Sequence, residues 1–174
     1  MTATKSSHPV EAVKLPPSGK MHNNKHLPLL IYRDVLSRGS DPAGACEDLF
    51  ARNGWTGAWR NGIYDYDHFH ATMHEVLGIV RGRVKARFGG EGGVEAELRA
   101  GDVVVIPAGV AHKNLGASKD LLVVGAYPGG GDGDDDIHTK KDGAAAKAER
   151  VPVPPADPVF GRQGPLREKW DEPG

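Results

Sequence analysis

The sequence predicts an all-β domain, a sandwich or barrel of short strands with a short helix near its N-terminal side. Three observations predict it. Between about residues 57 and 128, short apolar or alternating runs recur between glycine-bearing turns. Glycine occurs 24 times and proline 13 times, too many breakers for a long helical bundle. At 174 residues the chain has the length of one domain with one core.

The elements follow in chain order. Residues 1–25 are polar and proline-containing and read as an extended arm, a candidate for ordering against a neighbour. PLLIYRDVL, residues 28–36, contains a first strand. A helix is expected over about 41–53. Asp41 caps it, Pro42 takes its first position, and Asn53-Gly54 stops it. Ala45, Cys46, Leu49 and Phe50 fall at helical spacing on its apolar side, so Cys46 reads as a buried thiol rather than a reactive one. The strands of the barrel then run from GIYDYDHFH through HEVLGIVRGRVKARF, turn at GGEGG, and continue through VEAELRAGDVVVIPAG, AHKNLG and DLLVVGAYPGG. Arg83, Lys85 and Arg87 alternate along one strand and read as a solvated face. The barrel is thus placed at 26–128, with an acidic loop and a wrapping tail at 129–174. DGDDD at 132–136 invites calcium, but an EF-hand loop counted from Asp132 needs glycine and glutamate where Ile137 and Gly143 stand. A solvated loop, followed by a short helix, is the reading. Six prolines fall in the last 24 residues, which excludes a central strand there. That tail is expected to wrap the barrel as extended chain, anchored by Val159, Phe160 and Trp170.

Composition excludes several functions. The net charge of −1 argues against a nucleic-acid binder acting through general electrostatics. The single cysteine forms no internal disulfide and points to a reducing, cytoplasmic setting. The N-terminus lacks the apolar segment of a signal peptide, and no run of 18 apolar residues exists to span a membrane.

Chemistry concentrates in HFHATMHE, residues 68–75, which holds three of the eight histidines. On a strand, His68 and His70 point to one face and their imidazoles reach one point in space. Tyr64 and Tyr66 share that parity and are candidate pocket residues. Two neutral imidazoles are half of a divalent transition-metal site, which needs a carboxylate and a third histidine from elsewhere. His74 and Glu75 are adjacent and point opposite ways, so periodicity leaves the choice between them open. In GDVVVIPAGVAHKNLG, Gly101-Asp102 turns into an apolar strand, Pro107 and Gly109 turn again, and His112 opens the next strand. Asn114 shares the parity of His112 and can supply an amide near the site.

Together the two stretches resemble the paired motifs of the cupin superfamily. Gly62 is followed by five residues, His68-Phe69-His70, four residues, Glu75, six residues and Gly82. Gly101 is followed by five residues, Pro107, Gly109, two residues and His112; the family's asparagine position holds Gly116, with Asn114 nearby. HEVLGIV, IPAGVAHKN and DPVFG look similar to a group of bacterial single-domain cupins. The resemblance covers about residues 57–128. It implies a double-stranded β-helix, the jelly-roll barrel, holding one divalent transition metal per chain, of the set Fe, Mn, Ni, Co, Cu and Zn. It implies His68, His70, Glu75 and His112 as ligands, with His74 at the shorter family spacing as the alternative. The functional expectation is a metal-dependent enzyme, of dioxygenase or isomerase type, on a small organic substrate. The alternative is a non-catalytic small-molecule or sugar-binding cupin whose metal is structural or anchors the ligand. The expected partners are a small-molecule ligand and a second copy in a homodimer made by exchange of edge strands, with no nucleic acid and no membrane.

Overall fold

The protein is described from a computed structural model covering residues 9–131, 136–137 and 143–170. The DGDDD reading lies almost entirely outside the described residues. In chain order the elements are β1 (Val10–Leu15), β2 (Asn24–Tyr32), α1 (Pro42–Arg52), β3 (Trp55–Asn61), β4 (Phe69–His70) and β5 (Glu75–Arg81). There follow β6 (Arg83–Phe88), β7 (Val94–Arg99), β8 (Val103–Ile106), β9 (His112–Ala117), β10 (Leu122–Pro128), β11 (Asp136–Ile137), α2 (Ala144–Arg150) and α3 (Pro165–Trp170). No helix among the described residues is long and apolar enough to cross a membrane.

A six-stranded antiparallel sheet, ordered β1-β2-β8-β5-β10-β3, faces a three-stranded sheet, β7-β6-β9, in a jelly-roll arrangement. A two-stranded pair, β11-β4, completes the set. Side-chain alternation divides the large sheet into two apolar faces. Leu29, Ile31, Leu77, Ile79 and Val104 pack inward against Val84, Phe88 and Leu98 of the small sheet. Leu30, Tyr32, Val76, Val103, Val105 and Val124 pack outward. Strands β5 and β8 are therefore buried on both faces, which is why EVLGIV and VVVI are nearly continuous apolar runs rather than alternating ones.

The outer face is covered by α1, α3 and the chain between α2 and α3. Asp41 caps α1 by accepting from Gly44 N at 3.0 Å, with Pro42 at the first turn. The buried stripe of α1 is Ala43, Cys46 and Phe50. The sequence expectation placed Ala45 in that stripe; it is exposed, because the i, i+3, i+7 face runs through Ala43 instead. Gly78 of β5 allows the close approach of α1, since a Cβ there would stand 2.6 Å from Cys46 Sγ.

Two further expectations change. Part of the N-terminal arm is a strand: β1 pairs with β2 from Val10↔Tyr32 to Leu15↔Asn24. Its half-exposed pattern, VEAVKL, suits an edge and gives a weak strand signal. The tail is not extended throughout but includes α3. Pro165 sits at the start of α3, where no N–H is needed, and Leu166 and Trp170 lie four apart on the face that enters the core. Asp157, fully buried, organises the tail. Its carboxylate accepts from the Tyr32 hydroxyl at 2.6 Å and from the N–H groups of Val159, Phe160 and Leu166 at 2.8–3.0 Å. Trp55 and Trp170 tie the same region down by donating to the carbonyls of Ala156 and Pro28, both at 2.9 Å.

Candidate metal centre and its cavity

Four segments bring the candidate residues to one end of the space between the sheets. His70 ends β4, Glu75 opens β5 opposite Ile106, and His112 opens β9 opposite Phe88. His68 and His112 form an antiparallel bridge, each N–H donating to the other's carbonyl at 3.2 and 2.9 Å. That bridge sets their imidazoles side by side, with ring centroids 4.0 Å apart. The loop between β8 and β9 is anchored from several sides. Gly109 N donates to His70 O at 2.7 Å, Ala111 N to Asn23 Oδ1 at 3.2 Å, and Asn24 Nδ2 to Ala108 O at 3.0 Å. Gly109, at φ 92°, also passes so close to Asn23 O that a Cβ would meet it at 2.6 Å.

The ligand atoms of His70, Glu75 and His112 lie within 4.8 Å of one another, and all three residues are buried. Glu75 Oε1 stands 3.4 Å from both His70 Nε2 and His112 Nε2. His68 stands outside this group but lines the same cavity. The donor set fits a divalent cation. His112 Nδ1 lies 3.2 Å from Val110 O and His68 Nδ1 lies 3.0 Å from Tyr66 O. Those carbonyls place the proton on Nδ1 and leave Nε2 as a lone pair, the arrangement found in metal-binding histidines. Lone pairs of Nε2 and of a carboxylate oxygen then face each other, which is favourable only with positive charge between them, a proton on the imidazole or a metal ion.

The electrostatics agree. Burial works against ionisation of Glu75, yet hydrogen bonding and positive charge at His112 and His70 prevail and hold its carboxyl below the usual range. A bound cation supplies the same compensation more strongly. Burial first, then the neighbouring His112, pushes His68 down to about 3, so its ring is neutral.

The cavity beside this cluster has a volume of about 370 Å³. The sequence did not point to most of its wall. Trp59, Ile63, Leu77 and Tyr127 line it, with Arg60 and Asn61 toward the rim. Trp59 Nε1 donates to the Tyr127 hydroxyl at 2.9 Å, and the Tyr127 ring meets that of His70 edge-on at 6.0 Å. Trp59 and Tyr127 are 68 residues apart, so only their place on β3 and β10, adjacent strands, could have linked them. Arg60 is engaged away from the cavity in a two-pronged pair with Glu47.

The other sequence candidates fall as follows. Tyr64 lines the cavity and is 52 % exposed; Tyr66, 38 % exposed, stacks on it at 5.0 Å, and both rings contact His68. Residues 62–67 are not strand, so the tyrosines stand at the rim. Asn114 is outside the cavity lining; its amide donates to Ile63 O at 3.3 Å and accepts from Gly116 N at 2.8 Å, holding the rim loop. His74, immediately before β5, is fully buried outside the cavity lining and meets Trp170 at 4.7 Å. Its Nδ1 accepts from Ala108 N at 2.9 Å and its Nε2 donates to Pro152 O at 3.2 Å. Burial lowers its imidazole to about 4, so this neutral tautomer persists at physiological pH. Arg87, expected on a solvated face, is mostly covered and pairs with Asp67 at 2.7 Å, because the rim loop folds over the end of β6.

A family model described as Cupin matches residues 62–144, and a relative matches nearly the whole chain. That relative, "Uncharacterized protein YjlB" of Bacillus subtilis (strain 168), is 36% identical over 157 residues, 89% of this chain and 93% of its own. The chain belongs to the cupin superfamily. Solved structures similar to part of this cupin include acireductone dioxygenase from Bacillus anthracis with a cadmium ion in its active centre. It is 16% identical, with TM-score 0.43, over 57% of this chain and 78% of that one. The WlaRB TDP-quinovose 3,4-ketoisomerase from Campylobacter jejuni is 13% identical, with TM-score 0.38, over 47% and 68% of the two chains.

Proposed function

We propose that this cupin is a metal-dependent enzyme acting on a small organic molecule, by chemistry of the dioxygenase or isomerase type. The observation that carries the reading is the convergence of His70, Glu75 and His112 on one point at the wall of a cavity of substrate size. We assign His68, His70, Glu75 and His112 as the ligands of one divalent ion of the set Fe, Mn, Ni, Co, Cu and Zn. When bound, the ion supplies a Lewis acid or redox centre with positions left for substrate. The chain supplies the rest. Glu75 is held ionised, and His68 is held neutral with Nδ1–H tied to Tyr66 O. Trp59, Ile63 and Leu77 exclude water from the wall, which strengthens every polar contact inside. The Trp59 indole N–H fixes the Tyr127 hydroxyl beside His70, where it can orient a polar group of the substrate.

One observation favours a second reading. Outside the four assigned ligands, no carboxylate or imidazole lines the cavity among the described residues, which leaves only the Tyr64 and Tyr127 hydroxyls as acid–base groups there. That suits a binding protein whose ion anchors a small molecule or sugar. Elemental analysis of the purified protein, with the parent compared against His112→Ala, tests the metal site. Full metal content in the variant defeats the four-ligand assignment. Consumption of oxygen, or turnover, with a candidate substrate then separates enzyme from binding protein.

A further inference from the structure

His74 is the member of HFHATMHE that the cavity does not use. It is fully buried, and its ring is engaged on every side by parts of the chain far apart in sequence. The Ala108 N–H donates to Nδ1 at 2.9 Å, the Nε2–H donates to Pro152 O at 3.2 Å, and Trp170 of α3 packs against the ring at 4.7 Å. Ala108 lies in the loop whose far end is His112, and the residue after His74 is Glu75. One imidazole therefore joins the start of β5, the loop before β9 and the C-terminal tail.

Resting on the metal-centre reading above, we propose that His74 is a positioning residue. It clamps the 107–111 loop against the start of β5 and the tail, and so fixes His112 relative to Glu75. The geometry explains why a histidine suits the position. The clamp needs an acceptor for an amide N–H at one end and a donor for a carbonyl at the other, roughly a ring's width apart. A neutral imidazole offers both on one rigid plane. A phenyl ring fills the space and offers neither. An asparagine keeps an oxygen near the place of Nδ1 and gives up the reach to Pro152. The other anchors of the loop come from Asn23 and Asn24, from the backbone of His70, and from Gly89 N, which donates to Ala111 O at 2.7 Å. The link to Pro152 gives the tail a route to the site. Docking of residues 151–170 is thereby coupled to the spacing of two ligands that the tail does not itself reach. Outer contacts of this kind commonly change metal affinity about 10–100-fold when removed.

Two measurements on the full chain test the clamp. In metal-free protein, amide hydrogen exchange over residues 108–111 is compared for the parent, His74→Phe and His74→Asn. Faster exchange by at least tenfold in His74→Phe, with partial protection in His74→Asn, is the expected result. Competition of Mn²⁺ or Zn²⁺ against a chelator follows, with the visible spectrum of the Co²⁺ form as a readout of ligand geometry. Affinity is expected to fall about 10–100-fold in His74→Phe and to recover in part in His74→Asn. Unchanged loop exchange in a folded variant overturns the clamp. So does parental metal affinity with a parental Co²⁺ spectrum. If His74→Phe does not fold, His74→Asn carries the comparison, and its equality with the parent in both readouts overturns the proposal. Absence of metal binding by the parent defeats the metal-centre reading, while the exchange experiment still decides whether His74 holds the loop.

Discussion

Replacing Gly78 with alanine tests how tightly the outer layer is built onto the strand that carries Glu75. Gly78 faces α1 from the middle of β5. A Cβ built there would lie 2.6 Å from Cys46 Sγ, 3.0 Å from Phe50 Cζ and 3.3 Å from Leu36 Cδ1. All three neighbours are in the core, so none can swing into solvent. The first distance is more than an ångström inside an ordinary contact, and relief requires α1 to lift or β5 to shift. Overpacking of this degree costs about 1–3 kcal/mol. At about 2–4 °C per kcal/mol for a chain of this size, Tm falls by about 2–12 °C. Urea denaturation followed by circular dichroism measures the loss. The cause is isolated by a double-mutant cycle with Cys46→Ala, which removes the nearest atom. The pair should be more stable than the sum of the single losses by at least about 0.5 kcal/mol. A neutral Gly78→Ala, or strict additivity, refutes the packing argument.

Three other outcomes follow from the same structure. Burial, with a smaller contribution from Glu47, pushes the Cys46 thiol up to about 12. Ellman's reagent should therefore react at the rate of unfolding at pH 8. Because the folded thiol holds its proton more tightly, this site's contribution to stability is full below the unfolded value of 9.0 and declines as pH rises toward 12; reaction at the rate of a free thiol contradicts this. Asp157→Ala strips the acceptor from the Tyr32 hydroxyl and three backbone N–H groups, and should cost at least about 1.5–3 kcal/mol. Limited proteolysis should then cut first within residues 151–164, and cleavage elsewhere first counts against the tail's reliance on that carboxylate. Free metal at 100 times its Kd should stabilise the protein by about 2.7 kcal/mol, a rise in Tm of about 5–11 °C that His112→Ala abolishes. Equal shifts in parent and variant by differential scanning fluorimetry place the ion elsewhere.

The strand pattern was legible because side-chain alternation and glycine turns are local. The doubly buried β5 and β8 appear in the sequence as EVLGIV and VVVI, and α1 carries its own start and stop in Asp41-Pro42 and Asn53-Gly54. The edge strand β1 was not legible, since an edge half in solvent lacks a strong apolar period. Neither was α3, whose proline content suggested extended chain although its proline stands where a helix tolerates it. The cavity wall was hidden for another reason. Trp59 and Tyr127 meet only because β3 and β10 are neighbours in the sheet.

By itself the sequence determined the all-β class, the capped helix, and the placing of His68 and His70 together near a carboxylate. Those follow from strand parity and turn chemistry, which need no distant contact. Strand parity alone did not choose between His74 and Glu75, and only the family resemblance pointed to Glu75, because the face each residue takes is set by what it packs against. Tertiary structure decided that. Glu75 faces the cavity between His70 and His112, and His74 faces the tail, held between Ala108 N and Pro152 O. A buried carboxylate is stable where imidazoles or a cation meet it, and a buried imidazole where a backbone donor and acceptor do.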